Sequence, residues 1–95
     1  MNAFLQSISI QKNHFVCKHT DEELLLIPLK DNVADFNQYI VLNELGACIW
    51  NLIDETTTIA ALQEKILQEF EVTAEKLHAD LSIFIPELHR YTCGS

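Results

Sequence analysis

Residues 39–54 read YIVLNELGACIWNLID, and the period of their apolar residues changes once, at Asn43. Before it, Tyr39-Ile40-Val41-Leu42 is aromatic and aliphatic with two β-branched residues, and an extended chain would turn these side chains alternately to two faces. After it, Leu45, Cys48, Ile49, Leu52 and Ile53 fall on one face of a 3.6-residue helix, and Asn43 suits the position that caps its first free amides. The stretch predicts a strand over residues 38–42 that runs without a loop into a helix from Glu44 to about Ile53. Gly46 in the first helical turn costs up to about 1 kcal/mol relative to Ala, so close approach of another backbone is expected there.

Upstream, Ser7 to Gln11 alternates like a half-buried strand, and His14 to His19 is a second β-type run. The turn-prone Thr20-Asp21-Glu22 then leads to Glu23 to Leu29, which predicts a hairpin, and residues 30–37 carry the Asp and Asn content of a connecting loop. Downstream, Thr58 caps a helix with Ile59, Leu62, Ile66 and Phe70 on one stripe. Thr73 caps another, with Val72 and Leu77 placed as a hydrophobic staple and Leu77, Leu81, Phe84 and Leu88 facing inward. Pro86 removes the amide that would bond the Ser82 carbonyl, which predicts a kink or break near Ile85. The expected fold is α+β and winged-helix-like: a three-stranded antiparallel sheet followed by a three-helix bundle, in one domain over residues 1–95 with its core at about 14–91.

Composition narrows the function. A hydrophobic content of 48% with only two Gly and two Pro fits a packed core rather than a disordered chain. Six basic residues stand against 14 acidic ones for a net charge of −8, and Lys12, Lys18, Lys30, Lys65, Lys76 and Arg90 are scattered, so no nucleic-acid surface is expected. The three cysteines, Cys17, Cys48 and Cys93, form no CxxC pair and suggest reduced thiols of a cytoplasmic protein. The longest apolar run, Leu24 to Leu29, is far short of a bilayer span, so no membrane association is expected. His14, His19, His78 and His89 lack metal-ligand spacing, and no phosphate loop or nucleophile elbow is present. Neither a metal, a cofactor nor catalysis is expected.

The stretch Tyr39-Ile40-Val41-Leu42-Asn43-Glu44-Leu45-Gly46-Ala47-Cys48-Ile49-Trp50-Asn51-Leu52-Ile53-Asp54, with Thr58-Ile59, Ala79-Asp80-Leu81, Phe84 and Leu88 further on, resembles the PqqD-like proteins, the peptide recognition elements of ribosomally made, post-translationally modified peptides. The resemblance covers about residues 14–89; it departs at Glu55, where the family commonly has Gly, and at Pro86 and the residues after His89. It implies a non-catalytic module that binds the leader segment of a precursor peptide as an added strand beside the third strand and against the last helix. Such a module presents the leader to a modifying enzyme, for example a radical SAM enzyme or a leader peptidase.

An edge strand offers unpaired amides and carbonyls to an extended peptide, which agrees with that implication. Tyr39, Ile40, Val41 and Leu42 are the expected docking edge, and His78, Leu81 and Ile85 of the last helix the expected wall. Ile85 is favoured because it is apolar yet lies about 100° from Phe84, off the expected core stripe. Trp50 is expected to pack at the helix–sheet junction. A free edge can also pair with a second copy, giving a homodimer through the third strand when no peptide is bound. The competing readings are a winged-helix DNA-binding regulator, disfavoured by the acids of the last helix, and a generic protein-interaction adaptor.

Overall fold

The computed structural model describes residues 2–94. Its elements in chain order are α1 (Asn2–Gln11), a 3-10 turn (Lys12–His14), β1 (Phe15–His19), β2 (Leu24–Lys30), β3 (Val33–Ala34), β4 (Ile40–Leu42), α2 (Glu44–Leu52), α3 (Ile59–Glu69) and α4 (Ala74–Cys93). The α+β class and the antiparallel sheet are as expected, but the sheet has four strands and a helix precedes it.

That first helix corrects the strand expected over Ser7 to Gln11. Leu5 and Ile8, three residues apart, are fully buried, whereas Ile10 is 66% exposed, so the burial has a helical and not an alternating period. The helix lies along α4, where Phe4 stacks on His89 with ring centroids 4.3 Å apart. Its ends are tied to the other helices: Asn2 Oδ1 accepts the Ile59 amide at the start of α3, and Lys12 Nζ donates to the Trp50 and Ile53 carbonyls at the end of α2, each at 2.9 Å. The ammonium thus satisfies the Ile53 carbonyl and shares the Trp50 carbonyl with the Ile53 amide at the helix C-terminus.

The fourth strand arises inside the expected loop. Asp31 and Asn32 adopt φ of 54° and 65°, the left-handed conformation that Asp and Asn tolerate, and so make a two-residue turn pairing Lys30 with Val33. β2 is the centre of the sheet, paired with β1 from Phe15↔Pro28 to His19↔Leu24 and with β4 from Leu24↔Leu42 to Leu26↔Ile40. The Pro28 carbonyl accepts the Asp35 amide at 2.8 Å, on the β3 side. Main-chain groups alternate sides along a strand, so Leu24, Leu26, Pro28 and Lys30 all turn theirs toward β3 and β4. Pro28 therefore lacks an amide only where β4 has already ended.

The helix starts follow the sequence closely. Asn43 Oδ1 accepts the Gly46 amide at 2.8 Å, Thr58 Oγ1 the Ala61 amide at 3.2 Å and Thr73 Oγ1 the Lys76 amide at 3.2 Å. A Cβ on Gly46 would come within 3.2 Å of Leu42 Cβ and 3.3 Å of Asn43 Oδ1. The close approach at Gly46 thus comes from the preceding strand residue's side chain and the cap, not from another backbone. Trp50 is buried at the helix–sheet junction, edge-on to Phe15 with centroids 5.9 Å apart.

Of the kink or break expected near Ile85, the break does not occur: α4 runs unbroken from Ala74 to Cys93 through Pro86. Ser82, whose carbonyl loses its amide partner there, is exposed, so water can supply the missing bond. The inward stripe is Leu77, Leu81, Ile85, Leu88 and Thr92, so Ile85 belongs to the core and Phe84 does not.

Candidate functional site

The alternation fixed by β2 decides which groups of β4 are free. Leu24 and Leu26 exchange bonds with their partners Leu42 and Ile40, so within β4 only Val41 turns its amide and carbonyl away from the sheet. Beyond that free edge stands α4. The groove-facing residues of α4 are Asp80, Phe84, Glu87 and Tyr91, each one position before a core residue and hence about 100° round the helix from it.

Phe84 divides the groove into two pockets. One is bounded by Ile40, Val41 and Leu42 on the strand and by Phe84, Glu87, Leu88 and Tyr91 on α4, and encloses about 310 Å³. The other, about 170 Å³, is formed by Asn43, Leu45, Gly46 and Ile49 against Leu77, Asp80, Leu81 and Phe84. A cavity of roughly 150 Å³ suffices for a benzene ring, so each can seat an aliphatic or aromatic side chain. Gly46 lies on the strand side of the second, where a side chain would crowd Leu42 and the cap.

Tyr91 ties the two walls together at one end. Its hydroxyl donates to the Gln38 carbonyl at 2.6 Å and lies 3.3 Å from the Leu26 carbonyl, while its ring tilts against Phe15 at 5.5 Å. Burial first, and then the negative charge of Asp35, pushes the phenol above its ordinary range, so it remains a donor near neutral pH. Among the described residues the one ion pair is Lys76–Asp80, at 3.6 Å across one turn of α4.

The expected site residues divide between the groove and the interior. Ile40, Val41 and Leu42 border the groove, with Val41 47% exposed and Leu42 buried. Tyr39 precedes β4 and is 46% exposed, so the sheet face it shares with Val41 stays open. Leu81 is fully buried at the base of the smaller pocket. Ile85 is fully buried in the core and cannot line a wall. His78 points elsewhere: its Nδ1 lies 3.2 Å from Gln63 Nε2 of α3. Sequence reading assigned Phe84 to the core and gave no role in the groove to Glu87 or Tyr91, although Asp80-Phe84-Glu87-Tyr91 repeats at helical spacing. No group of three or more His, Cys, Asp or Glu among the described residues could hold a metal ion, and no helix is long and apolar enough to cross a membrane.

The profile of the family described as coenzyme PQQ synthesis protein D (PqqD) matches residues 22–92. The chain belongs to the PqqD family. Among solved structures, TbiB1 in complex with the TbiA(beta) leader peptide superposes with a TM-score of 0.62 at 26% identity, covering 80% of this chain and 83% of TbiB1. No curated protein matches significantly in sequence. The PqqD profile begins within the β1–β2 connection, so α1 and β1 lie before the matched region. Those two elements nevertheless help to build the groove, since Phe15 supports Tyr91 and α1 packs on α4.

Proposed function

We propose that this PqqD-family chain is a non-catalytic module that binds the leader segment of a ribosomally synthesised precursor peptide as an added strand beside β4 and presents it to a modifying enzyme. The observation that carries the reading is the free main chain of Val41 opposite a two-pocket groove, on a fold similar to one that holds a leader peptide in TbiB1. Strand addition satisfies both exposed groups of Val41 at about 1 kcal/mol per bond. Each apolar side chain seated in a pocket adds about 2 kcal/mol. Main-chain pairing is open to any extended peptide, so selectivity resides in the pockets.

Ile40, Val41 and Leu42 on the strand and Phe84, Glu87 and Tyr91 on the helix form the binding surface in this reading. The recipient enzyme is of the peptide-modifying kind, a radical SAM enzyme or a leader peptidase, and acts in the cytoplasm. Without peptide, the same edge can pair with a second copy, and sedimentation at rising concentration would detect that dimer. The direct test is an NMR titration with the synthetic leader of the precursor encoded beside this protein's gene. Shifts concentrated at Ile40–Asn43 and at Asp80–Tyr91 are expected; a bound leader that perturbs β1 instead would refute the placement.

A further inference from the structure

The groove carries a charge pattern that generic strand addition does not require. Glu87 borders the larger pocket between Phe84, three residues before it, and Tyr91, four residues after it. Among the described residues it has no ion-pair partner, and Arg90 does not pair with it. Asp80 borders the smaller pocket, and Asp35 lies close enough to Tyr91 for its charge to act on the phenol. The groove thus carries carboxylates from two turns of α4, of which only Asp80 is paired with a lysine, in a chain of net charge −8.

We propose that the leader accepted by this chain carries a Lys or Arg whose aliphatic stem lies between Phe84 and Tyr91 and whose cationic head pairs with Glu87, making Glu87 a specificity-determining residue. The proposal rests on the leader-binding reading above. A long basic side chain fits both parts of the pocket, since its stem covers apolar surface while its head stays near water. The two aromatic rings add cation–π attraction. A purely apolar side chain would desolvate the Glu87 carboxylate without giving it a partner, and an acidic one would be repelled. Asp80 is about 10 Å away along the helix, so it serves a different position of the leader.

The test uses the fluorescein-labelled leader of the precursor encoded beside this protein's gene and a set in which each Lys or Arg of that leader is replaced in turn by Gln. Anisotropy titrations are run with the unaltered protein and with Glu87→Gln, a near-isosteric change at an exposed position whose folding is checked by circular dichroism. Glu87→Gln should weaken binding of the native leader about three- to fivefold, the upper range for an ion pair near water. One peptide substitution should cost the same, and variant and substituted peptide together should lose no more than either alone. Raising salt should weaken binding to the unaltered protein more than to Glu87→Gln. Equal affinity of Glu87→Gln for the native leader, or losses that add, would overturn the Glu87 pair while leaving leader binding intact. A leader that fails to bind the unaltered protein would overturn the leader reading itself, and the pair with it.

Discussion

β1 and β4 flank the same central strand, and each leaves one side of its main chain unpaired. Cys17 is the outward-facing residue in the middle of β1, as Val41 is in β4, because Val16 and Lys18 spend their bonds on Ile27 and Leu25. Their surroundings differ. Val16, Cys17, Lys18 and His19 are all exposed, and a Lys on an edge discourages pairing with a further strand. β4 has α4 beside it, with Phe84 and Tyr91 forming apolar walls and pockets for alternate side chains. An unpaired edge supplies hydrogen bonds to any extended peptide; a neighbouring wall turns that general capacity into a site.

The largest effect on this contrast should come from Val41→Pro. The ring removes the single outward amide of β4, leaves the peptide carbonyl opposite it unpaired and crowds the incoming strand, all without breaking a bond to β2, so the fold should persist while leader affinity falls a hundredfold or more. Calorimetric titration beside far-UV circular dichroism reads both quantities. Affinity retained within threefold on an intact fold would remove strand addition as the binding mode.

Two adjacent residues of α4 sharpen the contrast next. Ile85→Ala empties a fully buried position and should cost about 2–4 kcal/mol of unfolding free energy. Leader affinity, measured where the variant is still folded, should change less than threefold. Phe84→Ala should do the reverse: about 1 kcal/mol in urea melts, because the ring is only half-buried, and at least a tenfold loss of binding. If Ile85→Ala were the variant that lost binding selectively, the groove would have been drawn on the wrong helical face.

That pair also marks where the sequence stops being informative. Asn43, Thr58 and Thr73 were legible because capping is decided within three residues, and β4 was legible because Ile40-Val41-Leu42 is followed at once by a cap. The phase of α4 was not. Leu77-Leu81-Phe84-Leu88 and Leu77-Leu81-Ile85-Leu88 are both allowed by three- and four-residue spacing, and both alternatives place an apolar residue inside. The choice is made by the elements packed on α4, including α1, and α1 itself was read as a strand because Ile8 and Ile10 alternate by coincidence. Tyr91 was hidden for a similar reason: its partners Gln38 and Leu26 are 53 and 65 residues away.

Tyr91→Phe tests the tie between wall and strand with a smaller change. Loss of the 2.6 Å bond to Gln38 should cost about 1 kcal/mol and weaken leader binding severalfold by loosening the approach to β4. A pH signature separates this role from simple packing. Burial and the charge of Asp35 favour the neutral phenol in the fold, so its contribution is complete below the ordinary value of 10.0 and is lost as pH rises through the elevated one. The melting temperature of the unaltered protein should therefore fall more steeply than that of Tyr91→Phe above about pH 10. Parallel curves would mean that the hydroxyl carries no such load.

The smallest effect on binding should come from Cys17→Pro, the counterpart of Val41→Pro on the other edge. Its amide also faces outward, so no bond to β2 is lost, and the cost to stability is limited to fitting the proline ring into an extended strand. Because β1 lacks the wall that α4 gives β4, a leader gains nothing from the Cys17 amide, and affinity should stay within twofold by the same calorimetric titration. The two prolines delete equivalent groups from equivalent edges, so any difference between them measures what the β4–α4 groove adds. If Cys17→Pro matched Val41→Pro in its loss of binding, the leader would be using both edges, and the wall would not be what distinguishes them.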